Sequence, residues 1–427
     1  MGFRQQLDQA QTIAESAFRA LHEKLESGVL FLPIQKELRA DPHPYYRRLR
    51  ERDPVHRSRL AGGWVLSRYE DVLGVLRDPT WSSDERNWTR HAVYRARGER
   101  AGLPDLYSEH FSSMLRLDPP DHTRLRSLVS KAFTPRAVAA MRPRVALLAD
   151  ELLAKVESRR SMDLIAEFAA PLPVIVIAEL LGVPAADHEQ FRRLSDQGVK
   201  LLGDGPLAEK KLGVTGMRAL RDYFAAIVDA RRSDPQGDLI SALVAAEEAG
   251  DRLTLGELLS TLVLLLVAGN ETTTKLIGNA ILALLRNPQE LERLRADPGL
   301  MENAVEELLR YDGPVQLTSR LAREDRDLCG RTARRGDQVV LLLAGANRDP
   351  SAFADPDRLD LGRRDVRHLA FSQGIHFCLG AQLARLEASL ALGALVTRLP
   401  GLRLADAGIR WSSNTVLRGP EALRLAW

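Results

Sequence analysis

The sequence predicts a mainly α-helical fold with a small β-rich side, built as a single large domain. Three observations carry that reading. Apolar residues recur at helical spacing through most of the 427 residues, over the longest stretch from Leu253 to Leu285. Strand-like runs are few and short: Gly63–Ser67, Pro314–Arg320 and Gln338–Leu343, with a turn at Thr415–Pro420. No internal repeat or linker divides the chain. At 45% hydrophobic and 27% charged residues, the chain can bury a large core and still enclose a cavity.

Charge and cysteine content exclude several functions. A net charge of +3 with scattered Lys and Arg, and no zinc-finger spacing, argues against a nucleic-acid partner. Two cysteines, Cys329 and Cys378, make no disulfide framework and suit a reducing cytoplasm. Cys329 sits in a strand-and-turn context and reads as structural. The N-terminus lacks a signal-like apolar region, and the longest apolar run, Leu262–Ala268, is too short for a membrane span. The expectation is a soluble, cytoplasmic monomer.

In chain order, Leu7, Ala14, Phe18, Leu21 and Leu25 give an amphipathic first helix. Residues 1–30 are read as an N-terminal helical extension and 31–427 as the main domain. The extension either packs on the body or meets a partner or membrane surface. Asp41-Pro-His-Pro starts a short helix. Gly63–Ser67 is a strand, and Tyr69–Arg77 is the helix after it. From Pro79 to His110 the periodicity dissolves, and a loop this long is more often functional than idle. Asp118-Pro-Pro-Asp starts a helix that sets His122 and Arg126 at i and i+4. Those two suit an anion, or they are a solvated basic face. Helical patterns continue through Val145–Val156, Leu172–Leu181, His188–Leu202 and Leu212–Ala230, with a break at Gly203–Pro206.

The segment Leu253–Leu285 is apolar on nearly every face, so it reads as a central buried helix. In its middle stands Ala268-Gly-Asn-Glu-Thr-Thr-Thr. Glycine, a carboxylate and three hydroxyls are costly there, and a local rule broken in a core element marks a function or a satisfied polar kink. Glu302–Tyr311 is another helix, with Glu307 and Arg310 on one face.

The most constrained stretch is Phe371-Ser-Gln-Gly-Ile-His-Phe-Cys-Leu-Gly. Cys378 lies between Gly374 and Gly380, where a loop enters a helix marked by Leu379, Leu383, Leu386 and Leu390. A helix N-terminus favours the thiolate, and glycine admits a large planar ligand. The alternative is one more inert, buried cysteine.

This loop resembles the haem-ligand loop of the cytochrome P450 family. The family usually has Gly where this chain has Ser372, and often Pro where it has Gln382. The resemblance runs from about Phe31 to Trp427, with the motifs in order. It implies the cytochrome P450 fold, with Cys378 as the axial ligand of a haem b iron. By the same resemblance His122, Arg126, Arg320 and His376 contact the haem propionates, and Phe371, Gly380, Ala268 and Gly269 line the haem. Glu271 and Thr272 become an acid–alcohol pair for O2 activation. Glu307, Arg310 and Arg358 become a structural brace, and Leu265, Val315, Leu317 and Val416 line a substrate pocket. The loop from Pro79 to His110 would cover the substrate, with Arg86, Arg90 and Arg95 facing either a substrate carboxylate or solvent.

The implied activity is a monooxygenase that inserts one oxygen atom into a lipophilic small molecule, in secondary metabolism or in lipid or xenobiotic oxidation. Electrons would come from NAD(P)H through ferredoxin reductase and ferredoxin, since no flavin or iron–sulfur segment is present. An acidic ferredoxin would dock on a basic face formed by Arg116, Arg124, Lys131, Arg363, Arg364 and Arg367. Two rivals remain, a hydrogen-peroxide-driven peroxygenase and a non-enzymatic haem-based sensor. The retained pair Glu271-Thr272 and the long covering loop speak against both.

Overall fold

In the computed structural model, which describes residues 18, 20–32, 36–103, 113–201, 206–248, 253–406 and 408–427, the N-terminal helix runs through residues 20–27. Its apolar stripe is not what holds it. Phe18, Leu21 and Leu25 face solvent, and Leu7 and Ala14 lie outside the described residues. The anchor is Glu23, which is buried. Its carboxylate accepts from the N–H groups of Phe31 (2.7 Å) and Arg59 (2.7 Å) and meets His56 Nε2 at 2.9 Å. His56 is buried in turn, with Nδ1 2.9 Å from Asp53.

Helix α1 (His43–Arg52) leads into a hairpin of β1 (Val55–Ser58) and β2 (Gly63–Leu66). Trp64, Val65 and Leu66 are all buried, because β2 is an interior strand. Helix α2 (Tyr69–Arg77) follows. The stretch read as an irregular loop is irregular only in part: residues 91–100 form a helix, α3 (His91–Arg100). Only Gly98 in it is buried, so no apolar period exists to betray it. Residues 104–112, also in that stretch, lie outside the described residues.

Next come α4 (Asp121–Val129), α5 (Arg142–Ala154), β3 (Ser161–Asp163), α6 (Pro171–Leu181), α7 (His188–Val199), α8 (Leu207–Ser233) and α9 (Leu239–Glu248). The break expected at Gly203–Pro206 falls largely outside the described residues.

Helix α10 (Leu255–Arg286) is the axis of the molecule. A capping box starts it: Thr254 Oγ1 accepts from the Glu257 N–H, and the Glu257 carboxylate accepts from the Thr254 N–H. Asn287-Pro288 ends it. It is long and apolar enough to cross a bilayer, but it packs against α6, α7, α8, α12 (Met301–Asp312) and α13 (Ala381–Arg398) once α11 (Pro288–Ala296) has turned the chain back. Each Leu or Ile it buries contributes about 1.5–3 kcal/mol. A helix apolar all round is stable in water only when enclosed in this way.

The strands β4 (Thr318–Leu321) and β5 (Gln338–Leu341) complete a four-stranded sheet, ordered β1-β2-β5-β4, in which only β2–β5 is parallel. A second sheet joins β3 to β6 (Arg424–Ala426), so the C-terminus closes onto the middle of the chain. The observed architecture is the expected one, mainly helical with small sheets to one side.

Candidate active site

Cys378 is held by its own loop. Its N–H donates to the Phe371 carbonyl at 2.9 Å, and the Phe377 N–H donates to Gly374 at 3.0 Å. Gly374 has φ +71°, and a Cβ there would meet the Leu76 carbonyl at 2.3 Å, so both conformation and space require glycine. Ser372 also sits in the left-handed region, at φ 61°, which explains why glycine is the easier residue there. Around Gly380 nothing lies within 4 Å of a would-be Cβ, so a flat ligand can approach its backbone.

The helix start does not act on the thiol as its sequence position suggested. α13 begins at Ala381, so Cys378 lies just ahead of it. Burial pushes the Cys378 thiol up, against the Gly380 N–H and the charges of Arg126 and Arg385, which pull it down. A thiolate at this depth therefore needs a cation of its own. Arg385 is itself fixed by Glu306 at 2.6 and 2.9 Å and lies over Phe371, 4.6 Å from the ring centroid. Burial opposes ionisation of Glu306, but Arg385 and His368 prevail and hold it down at about 2.

Four basic groups gather beside the loop. The His122 and His376 rings lie 4.2 Å apart. Arg126, one turn after His122 on α4, donates to the Phe377 carbonyl at 2.6 Å. Arg320 on β4 is buried, and its guanidinium donates to the Ser319 carbonyl at 2.9 Å. Burial lowers Arg320 to about 10, with Asp118 opposing. Burial and the charges of Arg320, His122 and Arg126 lower His376 to about 3. His122 Nδ1 is buried with no partner.

These observations fit a haem. The basic groups face one another with one carboxylate, Asp118, among their electrostatic neighbours. The two carboxylates of a haem edge would supply the missing charge and a partner for His122. The thiol that burial disfavours as an anion would meet the iron.

On α10 the buried run is interrupted where the motif stands. Ala268 is exposed, and Gly269, Glu271 and Thr272 are half-buried, so accessible space lies against this face, with Gly269 toward Ile177. Each polar side chain has a partner. Asn270 Nδ2 donates to Ser195 Oγ on α7 at 3.0 Å. Thr272 Oγ1 donates back to the Ala268 carbonyl at 2.6 Å, the bond that loosens a helix locally. Thr274 Oγ1 donates to the Ala169 carbonyl at 3.1 Å. Glu271 is 2.8 Å from Lys275 Nζ. Thr273 bonds Glu387 of α13, a fully buried acid that burial pushes up to about 8 against that bond.

Val315, Leu317 and Val416 are brought together: the Gln316 N–H donates to the Val416 carbonyl at 2.8 Å, and Val315 bridges Leu417. All three are half-buried. Leu265 is buried on α10, one turn before Ala268.

The brace differs from expectation in one member. Arg310 donates to both Glu307 oxygens, at 2.7 and 2.8 Å, and both side chains are 0% exposed. The second fork on Glu307 comes from Arg363, at 3.1 and 3.2 Å. Arg358 is exposed and contributes only its carbonyl, which accepts from Arg310 and Arg363. The turn after Arg358 carries the chain back so that Arg363 meets the carboxylate. Arg310 also donates to the Asn347 carbonyl, and Asn347 Oδ1 accepts from the Leu369 N–H at 2.7 Å, which ties the brace to the Cys loop.

The basic docking face is thinner than the sequence suggested. Arg363 is spent on the brace, Arg124 pairs with Glu257 at 2.5 Å, and Arg116 pairs with Glu85 at 3.1 Å. Lys131, Arg364 and Arg367 are exposed. Sequence reasoning also missed Lys275, Arg385, Glu306 and Glu387. The Glu271–Lys275 spacing of four on one helix was a readable signal. The other three depend on which helices pack together.

Comparison with known proteins agrees with this geometry. A family model described as cytochrome P450 matches residues 216–400. Cytochrome P450 107B1 of Saccharopolyspora erythraea is 43% identical over 389 residues, covering 90% of this chain and 94% of that one. The polyketide biosynthesis cytochrome P450 PksS of Bacillus subtilis is 41% identical over 404 residues, covering 92% and 98%. Among solved structures, the myxobacterial cytochrome P450 CYP267B1 in complex with myristic acid superposes with a TM-score of 0.84 at 43% identity, covering 92% of this chain and 98% of that one.

Proposed function

The chain belongs to the cytochrome P450 family, and from that premise we propose that Cys378 would hold the iron of its haem b and that Glu271 and Thr272 deliver protons from α10. The protein is a monooxygenase that uses O2 and electrons passed from NAD(P)H by redox partners. Haem ligated by a thiolate supplies the chemistry that cleaves O2 and places one atom in a C–H or C=C bond.

The protein supplies position, protons and dryness. The observation that carries the reading is the loop around Cys378: a half-buried thiol, the Gly380 N–H against it, and open space at Gly380. His122, Arg126, Arg320 and His376 would hold the carboxylate edge of the haem, and Phe371 packs against Arg385 beside the Cys loop. Ala268 leaves the gap beside α10, while Gly269 faces Ile177. Thr272 Oγ1 holds a proton at the gap while bonded to Ala268, and a hydroxyl can donate and accept at once. Glu271 resupplies that proton from the water side.

The substrate is a lipophilic molecule of polyketide or fatty-acyl type. Leu265, Val315, Leu317 and Val416 offer it apolar walls, and relatives include a polyketide biosynthesis enzyme and one crystallised with myristic acid. Ferredoxin and its reductase are the partners, meeting the exposed Lys131, Arg364 and Arg367.

The test is coupling. Thr272→Ala should bind haem and substrate as the parent does. Product per NAD(P)H consumed should fall, with peroxide rising to match. Unchanged coupling would remove Thr272 from the relay. Product formed equally well from hydrogen peroxide alone would indicate a peroxygenase instead.

A further inference from the structure

Lys275 is a charged side chain in the middle of the core. It is 3% exposed, on the most buried helix of the protein. A lone ammonium at that depth costs several kcal/mol, so its place needs a reason. Its Nζ lies 2.8 Å from Glu271 Oε1, one turn back on α10. Glu preceding Lys by four residues is the better orientation for such a pair.

The surroundings make room for this lysine. Gly419, in the C-terminal turn, lies against its stem: a Cβ on Gly419 would fall 2.8 Å from both Lys275 Cβ and Cγ. No left-handed conformation is recorded at Gly419, so space rather than backbone geometry calls for glycine there. Gly419 follows Arg418, whose guanidinium is locked to Asp312 and to the Arg39 and Ala40 carbonyls. The stem therefore runs along a fixed wall.

Helix α7 presents the opposite charge. Asp196 on α7 interacts electrostatically with Glu271, and Arg192 lies 3.1 Å from Asp196. Burial, with Glu271 adding to it, raises Asp196 to about 6 against the pull of Arg192. Glu271 thus faces a carboxylate on one side and Lys275 on its own helix.

We propose that Lys275 is a positioning residue for proton delivery: it holds Glu271 Oε1 in place, so that Oε2 is left to pass protons toward Thr272. The tether lies within α10, so it persists whatever α7 does. This inference rests on the relay role of Glu271 and Thr272 proposed above.

The experiment uses the haem-loaded protein with Lys275→Met, Gly419→Ala, Glu271→Gln and Thr272→Ala. Lys275→Met should keep haem content and substrate affinity. Its coupled product formation should fall about tenfold, less than the roughly 10²–10⁴-fold that a general acid–base group itself contributes, because Lys275 acts through Glu271. Infrared difference spectra of the resting protein, read against Glu271→Gln, should show the Glu271 carboxylate band displaced from its position in the parent. Gly419→Ala, which keeps the lysine but pushes its stem, should shift both readouts in the same direction by less. Parental coupling and an unshifted carboxylate in Lys275→Met would overturn the proposal. So would a defect in Lys275→Met that leaves the Glu271 carboxylate band in place, since that is a purely structural effect. If Glu271→Gln and Thr272→Ala also couple normally, the relay itself fails. If they uncouple and Lys275→Met does not, only the role of Lys275 fails.

Discussion

Removing the wrong arginine from the brace should do almost nothing, and removing the right one should be costly. Glu307 and Arg310 are both 0% exposed, joined by bonds of 2.7 and 2.8 Å. Deleting one partner of such a pair leaves an uncompensated buried charge and costs about 3–5 kcal/mol. Glu307→Ala belongs in that range, which is about a fifth or more of a typical total stability of roughly 5–15 kcal/mol. Arg363→Ala removes one fork but leaves Arg310 on the carboxylate, so its cost is about 1.5–3 kcal/mol, that of hydrogen bonds to a charged group. Arg358→Ala removes an exposed side chain whose carbonyl alone serves the brace, so its cost stays within about 0.5 kcal/mol. The assay is urea unfolding of the holoprotein, followed by far-UV circular dichroism and by loss of the haem absorption band. The haem signal should fail first in Glu307→Ala, because Asn347 links the brace to the Cys loop. A midpoint shift for Arg358→Ala as large as that for Arg363→Ala would refute the reasoning.

The N-terminal helix should be held by charge more than by apolar contact. Burial opposes ionisation of Glu23, but the His56 and backbone hydrogen bonds win and lower it. Burial likewise opposes protonation of His56, but Glu23 and Asp53 win and raise it. The lowered acid stabilises above its unfolded pKa, and that share is lost as pH falls through its folded value. The raised histidine stabilises below its unfolded pKa of about 6.5, and its share is lost as pH rises through its folded value. Hydrogen exchange across residues 20–32 should therefore be slowest between those limits. Glu23→Gln should speed it roughly tenfold, a local loss of about 1.4 kcal/mol, whereas equal exchange in the two proteins would show that Glu23 is no anchor. Arg126→Ala with Arg320→Ala should release haem on gel filtration, since both cations flank the place of its carboxylates. Full retention by the double variant would dismiss them from that role.

Much of this was legible in the residues because it was local. The Cys loop and the Ala268–Thr274 motif announce themselves by breaking rules, glycines in a loop and hydroxyls in a core helix. Helix α10 was readable because its apolar period runs almost its whole length. Helix α3 was not, because a helix polar on every side has no period to see. The brace was misassigned because Arg358 and Arg363 are five residues apart in a turn, and only the turn's geometry decides which one reaches Glu307. The thiol shift was misjudged because sequence shows a helix start but not how deeply the sulfur is buried. Glu23 gave no signal in the sequence, because its donors are the Phe31 N–H, His56 and Ser58 of β1, and the Arg59 N–H in the loop after it, which sequence does not place beside it.

The central claim is that Cys378, and not Cys329, ligates the iron. The most direct measurement is the carbon monoxide spectrum of the reduced protein. The parent and Cys329→Ala should both show the thiolate-type Soret band, and Cys378→Ala and Cys378→His should lack it. A thiolate-type band that survives in either Cys378 variant, or vanishes in Cys329→Ala, would contradict the account.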